Sequence, residues 1–119
     1  MDFDGAILAH SRWKRRLKDA IDNKETIDAA QTAKDDQCDL GKWIYGEAKK
    51  AYGGDPALAQ LKDEHARFHR TAAEVVGHIN RGDKAKATEM ISVSGEFSRC
   101  SGNVVTAITK LRNIPAKAG

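Results

Sequence analysis

Three long stretches of this chain space their apolar residues at alternating steps of three and four, and none of useful length alternates in the two-residue rhythm of a strand. That pattern restricts the fold to packed helices. Phe3, Ile7, His10, Trp13, Leu17 and Ile21 form one stripe and predict a helix over about residues 4–23. Asp55-Pro56 supplies a cap followed by proline at the first helical position. From there Leu58, Leu61, His65, Phe68, Ala72, Val75 and Ile79 carry a second long helix to about Arg81. Gly82-Asp83 ends it and starts the last helix, in which Met90, Ser94, Phe97, Ser101, Val104, Ile108 and Leu111 keep a seven-residue repeat as far as the stop at Pro115.

Between the first two stripes, Asp39 is positioned to cap a shorter helix that turns Leu40, Trp43, Ile44 and Ala48 inward and ends at Gly53-Gly54. The polar segment Asn23 to Gln37 is a connection. It is long to cross without structure, and Ile27 to Ala33 suits one short helical turn. The expectation is an all-α fold, an antiparallel four-helix bundle with a long, partly helical connection between its first two main helices.

At 119 residues the chain has the length of one domain, expected over 1–114 with a flexible tail at 115–119. Its 40% hydrophobic and 31% charged residues belong to a soluble globular protein. No apolar run approaches the roughly 20 residues that cross a bilayer. The Met-Asp-Phe-Asp start carries acid where a secretory leader carries base, so the expected location is cytoplasmic, with no membrane insertion. The 20 basic and 17 acidic residues are interspersed, which argues against nucleic acid as a partner. The one basic cluster, Arg12, Lys14, Arg15, Arg16 and Lys18, reads as the solvated face of a helix. With two cysteines and no export signal, reduced or metal-bound thiols fit better than a disulfide.

The chemistry lies in the stripes themselves. His65 and His69 are four residues apart, so they project from one helical face and can converge on one ion. His65 stands in the apolar stripe between Leu61 and Phe68, and His10 stands likewise between Ile7 and Trp13. An imidazole turned into a core is costly unless partnered. Each alone reads as a core histidine bonded to a carbonyl or carboxylate; three together with a thiol read as a metal site. Cys38 is the thiol best placed, because it stands at a helix start where amide groups and the helix dipole favour a thiolate. Cys100, mid-helix beside Phe97 and Ser101, reads as a packing residue. His78, nine residues beyond His69, is about half a turn out of phase and points away. Gly41 suits a close approach of loop or neighbouring helix, and Trp43 packs.

His10, Cys38, His65 and His69 therefore form the candidate ligand set, and a mixed nitrogen and sulfur set suits Zn2+ best. Four protein donors close a tetrahedron, the arrangement of a non-catalytic site, so no enzyme activity is expected. A di-iron carboxylate bundle would need paired Glu-x-x-His patterns, which the sequence lacks.

On these residues the chain resembles the chemoreceptor zinc-binding domain, a bacterial family of four-helix bundles attached to cytoplasmic chemoreceptors and some diguanylate cyclases. The similarity is carried by Cys38-Asp39-Leu40-Gly41-Lys42-Trp43, flanked by His10-Ser11-Arg12-Trp13-Lys14 and His65-Ala66-Arg67-Phe68-His69. It implies a zinc core of His10, Cys38, His65 and His69, a homodimer, a linked signalling output domain, and control of that output by zinc occupancy or by oxidation of the ligand cysteine.

Overall fold

The computed structural model describes residues 2–23 and 25–114, and every regular element among them is a helix. These are α1 (Phe3–Asn23), α2 (Ala29–Ala33), α3 (Asp39–Tyr45), α4 (Ala48–Tyr52), α5 (Pro56–Asn80), α6 (Lys84–Ile91) and α7 (Glu96–Arg112). The expected stop at Pro115 and the tail at 115–119 lie outside the described residues.

The two long helices begin and end where local chemistry directs. The Asp2 carboxylate accepts the Gly5 N–H at 2.9 Å at the head of α1. Asp55 caps α5 by accepting the Ala57 N–H at 2.9 Å, with Pro56 behind it needing no partner for an absent N–H. At the far end Gly82 takes φ +81°, a left-handed turn that glycine adopts at little cost.

Helix α5 is the axis of the molecule. It packs most extensively on α7, then on α2 and α6, and it also touches α1 and α3. Its Leu61, Phe68, Ala72, Val75 and Val76 are wholly buried with Leu17 of α1 and Phe97, Val104, Ile108 and Leu111 of α7. A core of this composition is stabilised chiefly by the apolar area removed from water, at about 25 cal/mol per Å².

Two predicted helices are each divided in two. The helix expected from Asp39 to Gly53 breaks at Gly46-Glu47 into α3 and α4, and Cys38, not Asp39, is its cap. The break leaves Leu40 and Ile44 on one piece and Ala48 and Tyr52 on the other, all buried. The last helix breaks at Ser92 to Gly95 into α6 and α7. There Ser92 Oγ donates to the Glu89 carbonyl at 2.7 Å, competing with helix continuation. The chain then passes so close over the end of α6 that a Cβ on Gly95 would lie 2.3 Å from the carbonyl oxygens of Glu89 and Met90. Ser94, placed in the inward stripe by its spacing, is instead exposed in this link. The short turn foreseen around Ile27 to Ala33 is α2, capped by Asp28, whose carboxylate accepts the Gln31 N–H at 3.0 Å.

Candidate metal centre

α1 and α5 present the three histidines and the start of α3 presents the cysteine. His10 and His69 are 3% exposed and His65 is 0% exposed, so each imidazole is committed to the interior as the stripes foretold. Cys38 is half-buried.

The donor atoms crowd one point. His65 Nε2 lies 3.1 Å from His10 Nε2, 3.2 Å from His69 Nε2 and 3.2 Å from Cys38 Sγ. Cys38 Sγ is 3.7 Å from His69 Nε2, and all four donor atoms fall within 4.8 Å of one another. Bond lengths of about 2.05 Å for zinc to nitrogen and about 2.3 Å for zinc to sulfur put tetrahedral donor separations near 3.3 Å for two nitrogens and near 3.5 Å for nitrogen and sulfur. These four separations lie within about 0.3 Å of those values.

The outer hydrogen bonds say which ring atoms are free to bind. His10 Nδ1 lies 2.8 Å from the Ala6 carbonyl and His69 Nδ1 lies 3.0 Å from the Thr32 carbonyl. Only an N–H can donate to a carbonyl, so in the neutral rings both Nε2 atoms carry lone pairs aimed at the same centre. Both lone pairs are thereby available to a cation at that centre. Backbone carbonyls that hold the second nitrogen in this way orient histidine ligands in metal sites generally. His65 Nδ1 is buried with no partner, so nothing from the outer side fixes that ring.

Electrostatics push the same way. Burial, reinforced by its two neighbouring imidazoles, lowers the His65 pKa to about 3. His10 and His69 are lowered too, chiefly by burial, against the opposing pull of the Ala6 and Thr32 carbonyls. The rings are therefore neutral ligands at physiological pH. For Cys38 the expectation of a helix-stabilised thiolate is corrected. The Gly41 N–H does point at Sγ, at 3.3 Å, but burial outweighs it and raises the thiol above its ordinary 9.0. The helix start alone does not ionise Cys38; a cation held there would supply the missing stabilisation of the thiolate.

Gly41 does what its lack of a side chain suggested. A Cβ there would lie 1.8 Å from the Asp35 carbonyl oxygen, so the segment leading to Cys38 lies directly on the first turn of α3. Tyr45 Oη donates to Asp35 Oδ2 at 2.6 Å and ties the same segment to the end of α3. That bond, with burial second, raises the Tyr45 pKa to about 12. The Thr32 carbonyl and the Asp35–Tyr45 tie were not found from sequence. Asp28 and its fit as a cap for α2 were the one local signal that this segment is built rather than loose.

The remaining candidates fall outside the cluster. His78 is 23% exposed in its side chain and sits with Arg81 at 3.0 Å and Asp83 at 3.9 Å. Cys100 is buried with Sγ 3.5 Å from Thr71 Oγ1. Trp43 packs edge-on to Phe3 and Tyr52 at centroid distances of 5.5 and 5.9 Å. No helix among the described residues is long and apolar enough to cross a membrane.

A family model described as chemoreceptor zinc-binding domain matches residues 10–76, a span that begins at His10 and holds the other three candidate ligands. No curated protein and no solved structure matches the chain.

Proposed function

This chain belongs to the chemoreceptor zinc-binding domain family, and on that premise we propose that His10, Cys38, His65 and His69 hold one Zn2+ ion in a sensory module of a bacterial chemoreceptor or diguanylate cyclase. The observation that carries the reading is the convergence of four donor atoms within 4.8 Å of one another, with His65 Nε2 3.1 to 3.2 Å from each of the other three and Cys38 Sγ 3.7 Å from His69 Nε2. When bound, zinc would supply the positive charge that holds the three imidazole nitrogens and the half-buried Cys38 thiolate together.

The role is regulatory and not catalytic, because four protein donors complete the tetrahedron and leave no position for water or substrate. The histidines are seated on long helices in the core and two of them are held by carbonyls. Cys38 is the half-buried donor, on an irregular segment ahead of a short helix, and is the ligand that can leave and return without opening the core. A change in zinc level, or a two-electron oxidant, acts there. Hypochlorous acid, for example, adds OH to the sulfur and departs as chloride, leaving a sulfenic acid in place of the thiolate donor. The long helices pack as an antiparallel four-helix bundle, and the module works in the cytoplasm as a homodimer joined to its output domain.

A structural zinc clamp in a dimeric bundle is the competing reading. Elemental analysis of the purified chain and of each ligand-to-alanine variant tests the site: one zinc per chain in the parent is expected, and full zinc retained in His65→Ala and Cys38→Ala overturns it. Exchange separates the readings. A sensor releases zinc to a chelator over its working range, whereas a clamp holds it until the fold is lost.

A further inference from the structure

Cys38 forms part of the wall of two cavities of opposite electrostatic character. One, of about 530 Å³, is bounded by Asp2, Ala9, His10, Cys38, Asp39 and Leu40. Among the described residues, its charged lining groups are the carboxylates of Asp2 and Asp39, both exposed, while His10 beneath them is 3% exposed. The other, of about 250 Å³, meets the site at Cys38 and His69 and carries Arg16 and Lys34 against Asp28. The Arg16 guanidinium lies 4.7 Å over the Trp13 ring, which holds it at that mouth. A hydrated divalent cation approaching the donors meets two carboxylates on one side and a net positive charge on the other.

We propose that the cavity under Asp2 and Asp39 is the route by which zinc enters and leaves, with the two carboxylates drawing the cation toward His10 and Cys38. Low-dielectric walls lined by one sign of charge concentrate the opposite ion and raise its association rate. The carboxylates are attractors at the mouth and not ligands, so they govern rates more than the final affinity. The inference rests on the reading of the four residues as a zinc site, and the experiment keeps the two apart. Equilibrium zinc binding by the parent chain decides that reading; ratios of rates between variants decide this one.

Zinc uptake by the metal-stripped chain is followed by stopped flow against a chromophoric zinc chelator, and release is driven by excess chelator. Asp2→Asn with Asp39→Asn, in which the Asp2 position keeps an oxygen for the Gly5 N–H, is expected to slow uptake about three- to tenfold at low ionic strength. That deficit disappears at ~0.5 M salt, where the screening length falls to about 4 Å. Asp22→Asn, at the opposite end of α1, is expected to leave the rate unchanged. Ala9→Phe narrows the cavity and is expected to slow uptake and release by the same factor, so that affinity is preserved. Gln31→Trp, placed in the other cavity, is expected to slow neither. Uptake by the double variant indistinguishable from the parent at low salt, or slowing by Gln31→Trp with none by Ala9→Phe, overturns the proposal.

Discussion

Replacing Gly41 by alanine sets the close approach of two backbones against the reach of a metal ligand. The added Cβ would stand 1.8 Å from the Asp35 carbonyl oxygen and 2.8 Å from its carbon. Real Cβ atoms essentially never come within 3.0 Å of another heavy atom, so α3 and the Asp35 segment must part by at least about 1.2 Å. Neither partner is the end of a flexible side chain. Cys38 lies between them, three residues from each side of the contact, and its Sγ accepts the Gly41 N–H at 3.3 Å. Whichever side retreats, Sγ moves by more than the roughly 0.5 Å that a preorganised site tolerates. The fold loses about 1–3 kcal/mol through overpacking. Zinc affinity falls on the order of 10²-fold, about 3 kcal/mol, as the sulfur is drawn off three histidines that stay in place. Competition against a fluorescent zinc chelator measures the affinity, and thermal unfolding of the metal-free chain measures the stability. Gly102→Ala is the companion, since a Cβ there meets nothing within 4 Å inside α7, and it is expected to stabilise by about 0.5–1 kcal/mol with unchanged zinc affinity. Zinc affinity of Gly41→Ala within twofold of the parent would refute the claim that this contact positions Cys38.

Three further outcomes follow from the site. In Cys38→Ala the change in helix content and zinc release after mild hypochlorite treatment should vanish; a parent-like response by circular dichroism and zinc assay would remove Cys38 as the responsive ligand. Asp28→Ala takes the cap from α2, at about 1 kcal/mol, and loosens the Thr32 carbonyl that holds His69, so chelator competition should show about a tenfold weaker site. For the metal-free chain, the folded histidines have pKa values below their ordinary 6.5, His65 at about 3, so the unfolded chain takes protons first as pH falls. Stability is therefore full above about pH 6.5 and falls through the range down to about 3, with His65 alone accounting for about 2 kcal/mol at pH 5. Cys38 acts at the other limit: its folded pKa is raised, so stability declines as pH rises above about 9. Urea unfolding of chelator-treated protein at pH 5 and pH 7.5 measures this, and equal stabilities at the two would contradict it.

The residues of the candidate site could be read from the chain because their signal is local. A helix repeats its face every 3.6 residues, so His10 among Ile7 and Trp13, or His65 among Leu61 and Phe68, announces an inward imidazole without reference to any other element. The Ala6 carbonyl that orients His10 is four residues back on the same helix and belongs to the same local logic. Asp55 and Asp83 each marked a true helix start for the same reason: a cap acts on its own first turn.

What the chain alone did not disclose depends on contacts between distant segments. The breaks at Gly46 and at Ser92 to Gly95 occur inside stripes whose period continues through them, and only the pass of Gly95 over the carbonyls ending α6 shows why the second must occur. The Thr32 carbonyl reaches His69 from 37 positions away, and burial in the packed chain raises the Cys38 thiol against the N–H groups of its own helix start. Sequence by itself determined that this protein is helical and which four side chains seek one another's company, because periodicity and capping are properties of neighbouring residues. Only the tertiary structure decided that their donor atoms meet within 4.8 Å of one another, and which cavities adjoin them, because such distances depend on how whole helices pack.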